Sequence, residues 1–147
     1  MTVENSVASL RLLGLDVGDR RIGVAVSDPT GLLASPISVY RRSDDLRDAD
    51  HIVSLVEEYE ASGVVVGLPM NMDGSEGPQA EKTRHFADIL RRRGLQILFW
   101  DERLSTMEAT RLLMEHRHTR RKVRSRVDMT AAALILQSYL DRVRPVR

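Results

Sequence analysis

Acidic residues stand at three points of the sequence where a predicted element begins or ends. Asp16 lies near the end of an apolar stretch, one residue before the glycine turn at Gly18. Asp101 and Glu102 close a second apolar stretch, and Asp128 lies in the first turn of the last predicted helix. Carboxylates that converge without His or Cys favour a hard cation such as Mg²⁺ or Mn²⁺. Two such ions about 4 Å apart cleave a phosphodiester without a nucleophilic side chain. The pattern therefore raises the hypothesis of a shared metal site.

Each of these acids also has a simpler explanation. Asp128 could interact with the helix macrodipole, Glu102 could form a local ion pair or cap the next helix, and Asp101 could be a turn residue. Because strand side chains alternate, Asp101 and Glu102 cannot face the same way if the strand continues. Asp16 is the hardest to explain simply, since an aspartate between two apolar residues is costly to desolvate without a positive partner.

The length and composition of the chain exclude several classes of protein. The 147 residues are enough for one domain with a core, and the absence of cysteine excludes a disulfide framework and a thiolate metal site. No apolar run approaches the roughly 18 residues of a membrane span, and residues 1–9 lack the basic region of a signal peptide. We expect a cytoplasmic protein without membrane contact, with a flexible lead-in at residues 1–9, one domain at residues 10–143 and a tail at residues 144–147.

Charge is distributed unevenly along the chain. Residues 1–80 hold 6 Lys/Arg against 13 Asp/Glu, and residues 81–147 hold 16 against 8, so one face can be positive although the net charge is only +1. The candidate substrate-binding residues are nearly all basic: Arg20, Arg21, Asn71, Arg84, Arg103, Arg120, Arg121, Lys122 and Arg124. The basic run at residues 117–126 could clamp a phosphate backbone or be a solvated connector. Few aromatic residues are free for stacking, which favours backbone recognition.

Hydrophobic periodicity predicts the elements that must position these residues. Strands are expected at about 11–17, 21–27 and 33–40, with Pro36 favouring an edge position for the third. An amphipathic helix capped by Ser43 or Asp44 and ended by Gly63 precedes a buried strand at 64–68. A loop at 70–79, a helix at 79–93 ended by Gly94 and a strand at 96–100 follow. A helix opened by a capping box and running to about 116, the basic connector and a last helix at about 125–143 complete the chain.

This order of elements predicts one α/β sheet with helices on both faces. The first three strands are joined by short turns and are therefore antiparallel, whereas helical crossovers make the later strands parallel. The arrangement is the ribonuclease H-like one, with the first strand in the centre. We expect the strand before Asp101 to lie parallel beside the first strand, so that its carboxyl end meets that of Asp16.

Several short motifs resemble one bacterial family in residue type and order. They are Gly14-Leu15-Asp16-Val17-Gly18, Arg21-Ile22-Gly23-Val24-Ala25, Gly67-Leu68-Pro69, Asn71-Met72-Asp73-Gly74, Gly77-Pro78, Asp101-Glu102-Arg103-Leu104-Ser105 and Asp128-Met129-Thr130-Ala131-Ala132. The chain resembles the YqgF/RuvX family, whose members are described as pre-16S rRNA nucleases or Holliday junction resolvases. The resemblance covers about residues 12–140.

The resemblance implies a ribonuclease H-like fold and metal-dependent cleavage of nucleic acid. By this similarity, Asp16, Glu102 and Asp128 match the three acidic positions of the family and would hold two Mg²⁺ or Mn²⁺ ions, with Asp101 as an adjacent acid. The family's substrates are both the 5′ end of the 16S rRNA precursor and branched DNA, and the residues alone do not choose between them. The expected reaction is hydrolysis of a phosphodiester in rRNA processing, with Holliday junction resolution as the alternative.

Two further functions compete with the nuclease. An actin-like nucleotide-binding protein also begins its phosphate loop with a strand, an aspartate and a glycine hairpin, but it needs two lobes and this chain is long enough for one. A non-catalytic nucleic-acid-binding protein is the other alternative, and loss of cleavage on Asp16→Asn with retained binding distinguishes it from an enzyme. A junction resolvase would be a homodimer, because a four-way junction offers two equivalent cuts.

Overall fold

The structure is a computed structural model that describes the backbone of residues 11–105 and 120–143, with side chains for 11–105 and 130–143. Three predictions lie outside the described residues: the lead-in at 1–9, the capping-box helix at 107–116 and the tail at 144–147. None of the helices in the described ranges has both the length and the hydropathy that a membrane span requires.

Five strands form one sheet in the order β3-β2-β1-β4-β5. The strands β1 (Leu12–Val17), β2 (Arg21–Ser27) and β3 (Ala34–Arg41) are antiparallel neighbours. The strand β4 (Gly63–Leu68) lies parallel to β1, and β5 (Ile97–Asp101) lies parallel to β4. The predictions of a mixed ribonuclease H-like sheet and of a central first strand are confirmed.

Helices cover both faces of the sheet. Helices α1 (Asp45–Glu58) and α2 (Pro78–Arg92) pack on one face, where alternate residues of β1 and β4 join Ile52 and Phe86 in a core. Helix α3 (Arg120–Val143) packs on the opposite face through a second core that contains Ala132, Ile135 and Leu136. Strand β4 is buried on both sides, which explains why it is apolar throughout.

The third strand is an edge strand, as Pro36 predicts. Val24 pairs with Ser38 whereas Ala25 pairs with Pro36, so Ile37 is the extra residue of a bulge. Proline cannot donate a ladder hydrogen bond, and an edge strand with a bulge tolerates this loss.

The position predicted for β5 is wrong. The strand before Asp101 does not lie beside β1, because β4 separates the two. The crossover through α1 places β4 next to β1, and the following crossover through α2 adds β5 outside β4. The carboxyl ends of β1 and β5 therefore lie two strands apart.

Two element boundaries also differ from the prediction. Helix α3 begins at Arg120, so residues 120–126 are helical and not a connector; Arg and Lys are good helix formers, and the run contains neither Gly nor Pro. Gly63 begins β4, whereas α1 ends at Glu58 and the chain turns through Glu60, which has a φ of 53°.

A buried ion pair fixes the turn that follows Asp16. The guanidinium of Arg42 donates to Asp48 at 2.9 Å and to the Gly18 carbonyl at 3.0 Å, and it lies 4.9 Å from the centre of the Phe86 ring. Asp48 lies in α1 and is fully buried. One side chain thus ties the β1–β2 turn to both helices on that face.

The surroundings of Asp48 favour its charged form. Burial by itself would raise the pKa of this carboxyl, but hydrogen bonds from the Ser43 amide, the Arg42 guanidinium and the Tyr40 hydroxyl together hold the pKa below its ordinary value of 3.8. A carboxylate whose pKa is lower in the folded state contributes stability above the unfolded pKa and loses it as the pH falls.

We expect Asp48→Asn to destabilise the protein by about 2 kcal/mol at pH 7. The change leaves the largely buried guanidinium of Arg42 with the half-exposed Asp45 as its one remaining ion-pair partner among the described residues. Urea unfolding at several pH values measures this difference. The gap between wild type and variant should shrink below about pH 4, where Asp48 of the wild type begins to lose its contribution.

Arg47→Ala is the matched control, because it removes a pair with Asp44 in which both side chains are exposed. It should cost less than about 1 kcal/mol. Equal losses in the two variants, or a gap for Asp48→Asn that stays constant down to about pH 2, would contradict the assigned role of the buried pair.

Candidate active site

The central strand presents Asp16 toward α3. Leu15 and Val17 belong to the core under α1 and α2, so alternation along the strand directs Asp16 to the opposite face. Asp16 is only 9% exposed. The chain turns immediately afterwards, with the Gly18 amide donating to the Arg21 carbonyl at 2.8 Å. A side chain at Gly18 would press on that carbonyl, at 3.0 Å from its Cβ.

Two neighbouring acids at the end of β5, Asp101 and Glu102, make different contacts. Asp101 accepts a hydrogen bond from the Arg103 amide at 2.9 Å and ends the strand by capping the 3₁₀ turn Glu102–Leu104. The Arg103 guanidinium lies 2.7 Å from the same carboxylate and lowers the pKa of Asp101. Because the strand stops here, Glu102 is released from the alternation that a continuing strand would impose.

Asp16 and Glu102 line the same cavity, of about 340 Å³. Its lining consists of the end of β1, the β1–β2 turn, and residues that follow β4 and β5: Asp16, Val17, Gly18, Asp19, Arg20, Arg21, Pro69, Gln79 and Glu102. The cavity is therefore at the carboxyl edge of the parallel strands, where ligands bind in open α/β sheets. Asp101 is not part of the lining.

The third predicted acid lies on α3, which approaches the sheet closely near Asp16. A Cβ at Gly14 would lie 2.7 Å from the Cβ of Leu136 and 3.0 Å from the carbonyl of Ala132, so only glycine admits the helix at this distance. Asp128 belongs to α3 and precedes Ala132 by about one helical turn. Its side chain lies outside the described residues.

The predicted substrate-binding residues fall into three groups. Arg20 and Arg21 line the cavity. Three others lie in or beside the loop after β4: Asn71 bonds to Ser75, Arg84 to Glu76, and Arg103 to Asp101. The last group is in the first two turns of α3, where the side chains lie outside the described residues: Arg120, Arg121, Lys122 and Arg124.

The loop after β4 is an ordered turn in the structure. The amide of Asn71 donates to the Ser75 carbonyl at 2.8 Å, and Met70 and Glu76 form an isolated β-bridge. Arg103 donates to the Met72 carbonyl at 3.1 Å and thereby ties this loop to the turn that carries Glu102. The loop and the acidic turn are thus positioned together.

Sequence reasoning did not single out Gln79 as a site residue. Its side chain lines the cavity and donates to the Val17 carbonyl at 3.3 Å, from the first turn of α2. Its position in the sequence is the one indication of such a role, since Gln79 follows the loop at the carboxyl end of a parallel strand, where ligands bind. The residue type alone gives no such indication.

The donor set of the cavity suits a hard divalent cation. Asp16 and Glu102 supply carboxylate oxygens, and oxygen ligands are those that Mg²⁺ and Mn²⁺ prefer. Within the described residues, no group of three or more His, Cys, Asp or Glu side chains is arranged around a common point. The side chain of Asp128, the third acid of the predicted set, lies outside the described residues.

A mixed sheet in this order, with acids at the ends of β1 and β5, defines a ribonuclease H-like protein with a candidate metal site. The sequence profile of the RuvX family, described as Holliday junction resolvase, matches residues 10–142. The chain belongs to the RuvX family, as its motifs predict.

Curated relatives match nearly the whole chain. One from Clostridium botulinum (strain Hall) is 45% identical over 133 residues, which cover 90% of this chain and 97% of the relative. Another, from Halalkalibacterium halodurans, is 50% identical over 136 residues, with the same two coverages of 90% and 97%. Both carry the name "Putative pre-16S rRNA nuclease".

Solved structures share the fold at low sequence identity. RuvC of T. thermophilus in complex with a Holliday junction substrate superposes with a TM-score of 0.58 at 14% identity and covers 91% of this chain and 96% of its own. The fowlpox virus Holliday junction resolvase gives a TM-score of 0.53 at 12% identity, with 91% and 99% covered. At these identities the similarity establishes the architecture alone.

Proposed function

We propose that this protein is a metal-dependent nuclease that hydrolyses a phosphodiester bond at the 5′ end of the 16S rRNA precursor. The observation that carries the proposal is the shared cavity, in which Asp16 and Glu102 lie beside Arg20 and Arg21. The names of relatives at 45% and 50% identity support the choice of an rRNA precursor as substrate. The cytoplasm is the compartment that this substrate implies.

Asp16, Glu102 and Asp128 are the residues that would hold the metal, and we propose two ions of Mg²⁺ or Mn²⁺. When bound, such ions supply an activated water and stabilise the leaving oxygen of the phosphodiester. The carboxylates of the chain hold the cations and offset their charge. Asp101 stays paired with Arg103 and keeps the turn of Glu102 in place.

The other residues of the cavity bind and orient the substrate. Arg20 and Arg21 flank the carboxylates, and phosphate contacts from arginine fix the register of a nucleic acid without reading its sequence. Gln79 braces the end of β1 through its bond to the Val17 carbonyl. Arg84 and Arg103 bind Glu76 and Asp101 through their guanidinium groups and thereby stabilise the loop after β4 and the turn after β5.

The second candidate function is Holliday junction resolution, which the description of the matching family favours. A four-way junction presents two equivalent cuts, so this function requires a homodimer with two cavities. Cleavage of a junction by a monomeric enzyme at a single position would argue against it. Binding of nucleic acid without cleavage is the third candidate function.

A panel of labelled substrates tests the proposal: a 16S precursor with its 5′ leader, an unrelated single-stranded RNA and a four-way DNA junction, each with Mg²⁺ or Mn²⁺. We expect the wild type to cut the precursor. Asp16→Asn should lower the rate by at least about 100-fold, on the scale of losing one electrostatic group of an active site, while binding in EDTA stays unchanged.

The other outcomes discriminate between the alternatives. Preferred cutting of the junction supports the resolvase, and binding of the precursor without cleavage by the wild type supports a non-catalytic role. An Asp16→Asn variant that cuts as fast as the wild type would show that the cavity is not the active site.

The role of the two cavity arginines is tested by the salt dependence of binding. For the variant Arg20→Gln/Arg21→Gln, we expect weaker binding of single-stranded RNA and a slope of log K against log salt smaller by about 0.7 for each phosphate that the variant no longer neutralises. Arg84→Gln is the matched control, because its guanidinium is already bound by Glu76 through two hydrogen bonds of 2.7 Å. Equal slopes for the double variant and the wild type would exclude these arginines from the interface.

A further inference from the structure

One strand lies between the two acids of the cavity. Leu15 pairs with Val66, and Gly67 pairs with Trp100 of β5. Gly67 therefore stands in β4 at the level of Asp16, and alternation places it on the same face as Asp16. The side chain of Glu102 starts beyond β5 and must pass over β4 to reach the cavity that it shares with Asp16.

The path of Glu102 crosses the backbone of Gly67. A Cβ built on Gly67 would lie 3.0 Å from the Oε2 atom of Glu102 and 3.1 Å from its Cγ atom. It would also lie 2.5 Å from the Cδ1 atom of Ile135 in α3. The space that a side chain would fill is thus occupied by the carboxylate of Glu102 and by one methyl group of the core.

Backbone conformation does not explain a glycine at this position. Gly67 is not among the glycines with positive φ, which in the described residues are Gly31, Gly74 and Gly94. Glycine inside a strand is destabilising relative to alanine. A glycine at position 67 is therefore explained by the lack of space for a side chain.

We infer that Gly67 is a positioning residue for Glu102: the missing side chain opens the route by which this carboxylate crosses β4 and joins Asp16. The inference rests on the proposed function, because Gly67 acts through Glu102, which is a metal ligand in that proposal. A Cβ at this site would push the carboxylate by a few tenths of an ångström or more. Mg²⁺ and similar ions demand near-ideal ligand geometry, so a shift of this size is felt in metal affinity.

The competing explanation is that Gly67 only makes room for Ile135. The two explanations are separable, since Ile135→Val removes the Cδ1 atom that lies 2.5 Å from the added Cβ and leaves the contact with Glu102 in place. Gly63→Ala is a matched control in the same strand. Its Cβ would meet a flexible methyl group of Leu12 at 3.3 Å, and Gly63 is not part of the cavity lining.

The test compares Mn²⁺ binding by calorimetry and thermal stability for the wild type, Gly63→Ala, Ile135→Val, Gly67→Ala and the double variant Gly67→Ala/Ile135→Val. We expect Gly67→Ala to bind Mn²⁺ about 10-fold more weakly or worse, the scale of losing a group that orients a metal ligand. In the double variant the melting temperature should recover toward that of Ile135→Val, whereas the weak Mn²⁺ binding should persist. Gly63→Ala and Ile135→Val should bind Mn²⁺ as the wild type does.

Wild-type Mn²⁺ affinity in the double variant would overturn the inference and leave the proposed nuclease intact. Absence of Mn²⁺ binding by the wild type would instead remove the proposed metal site. In that case the crystal structure of the double variant decides: a Glu102 carboxylate displaced from the cavity supports the positioning role of Gly67, and a carboxylate in its wild-type place overturns it.

Discussion

Two carboxylates in one partly buried cavity repel each other, and this repulsion is the constraint on which the rest of the site depends. Positive charge in the same cavity offsets this repulsion: Arg20 and Arg21 are part of the lining, and cations bound there would offset it further. The fold therefore has to hold the two acids rigidly against their own repulsion. A central strand, a buried ion pair and a closely packed helix provide this rigidity.

The rigidity comes from contacts that lie away from the cavity itself. Arg42 fastens the turn after Asp16 to α1 and α2 through Asp48, the Gly18 carbonyl and the ring of Phe86. On the other face, Ser138 of α3 accepts a hydrogen bond from the Trp100 indole at 2.9 Å and donates to the Leu104 carbonyl at 3.1 Å. The second set of contacts ties α3 to both ends of the turn that carries Glu102.

Much of this arrangement could be predicted from the sequence because it is encoded locally. Short turns dictate an antiparallel start, Pro36 favours an edge, and Asp16 between apolar residues marks an unusual carboxylate. The motifs that resemble the RuvX family predicted the membership that the family profile then showed. Each of these signals needs only a few neighbouring residues.

The rest depends on contacts between residues far apart in the chain. The order of β4 and β5 follows from where each crossover docks, and no local pattern states it. The different positions of Asp101 and Glu102 follow from where β5 stops: Asp101 caps the 3₁₀ turn and pairs with Arg103, whereas Glu102 lines the cavity. The importance of Gly67 becomes visible only once Glu102 is seen to cross it.

The anomalous scattering of Mn²⁺ in crystals of the wild-type protein tests the proposed metal site most directly. We predict a Mn²⁺ peak between the carboxylates of Asp16 and Glu102, with metal–oxygen distances of about 2.0–2.5 Å to both, as hard cations require. Mn²⁺ bound elsewhere, with neither carboxylate as a ligand, would contradict it.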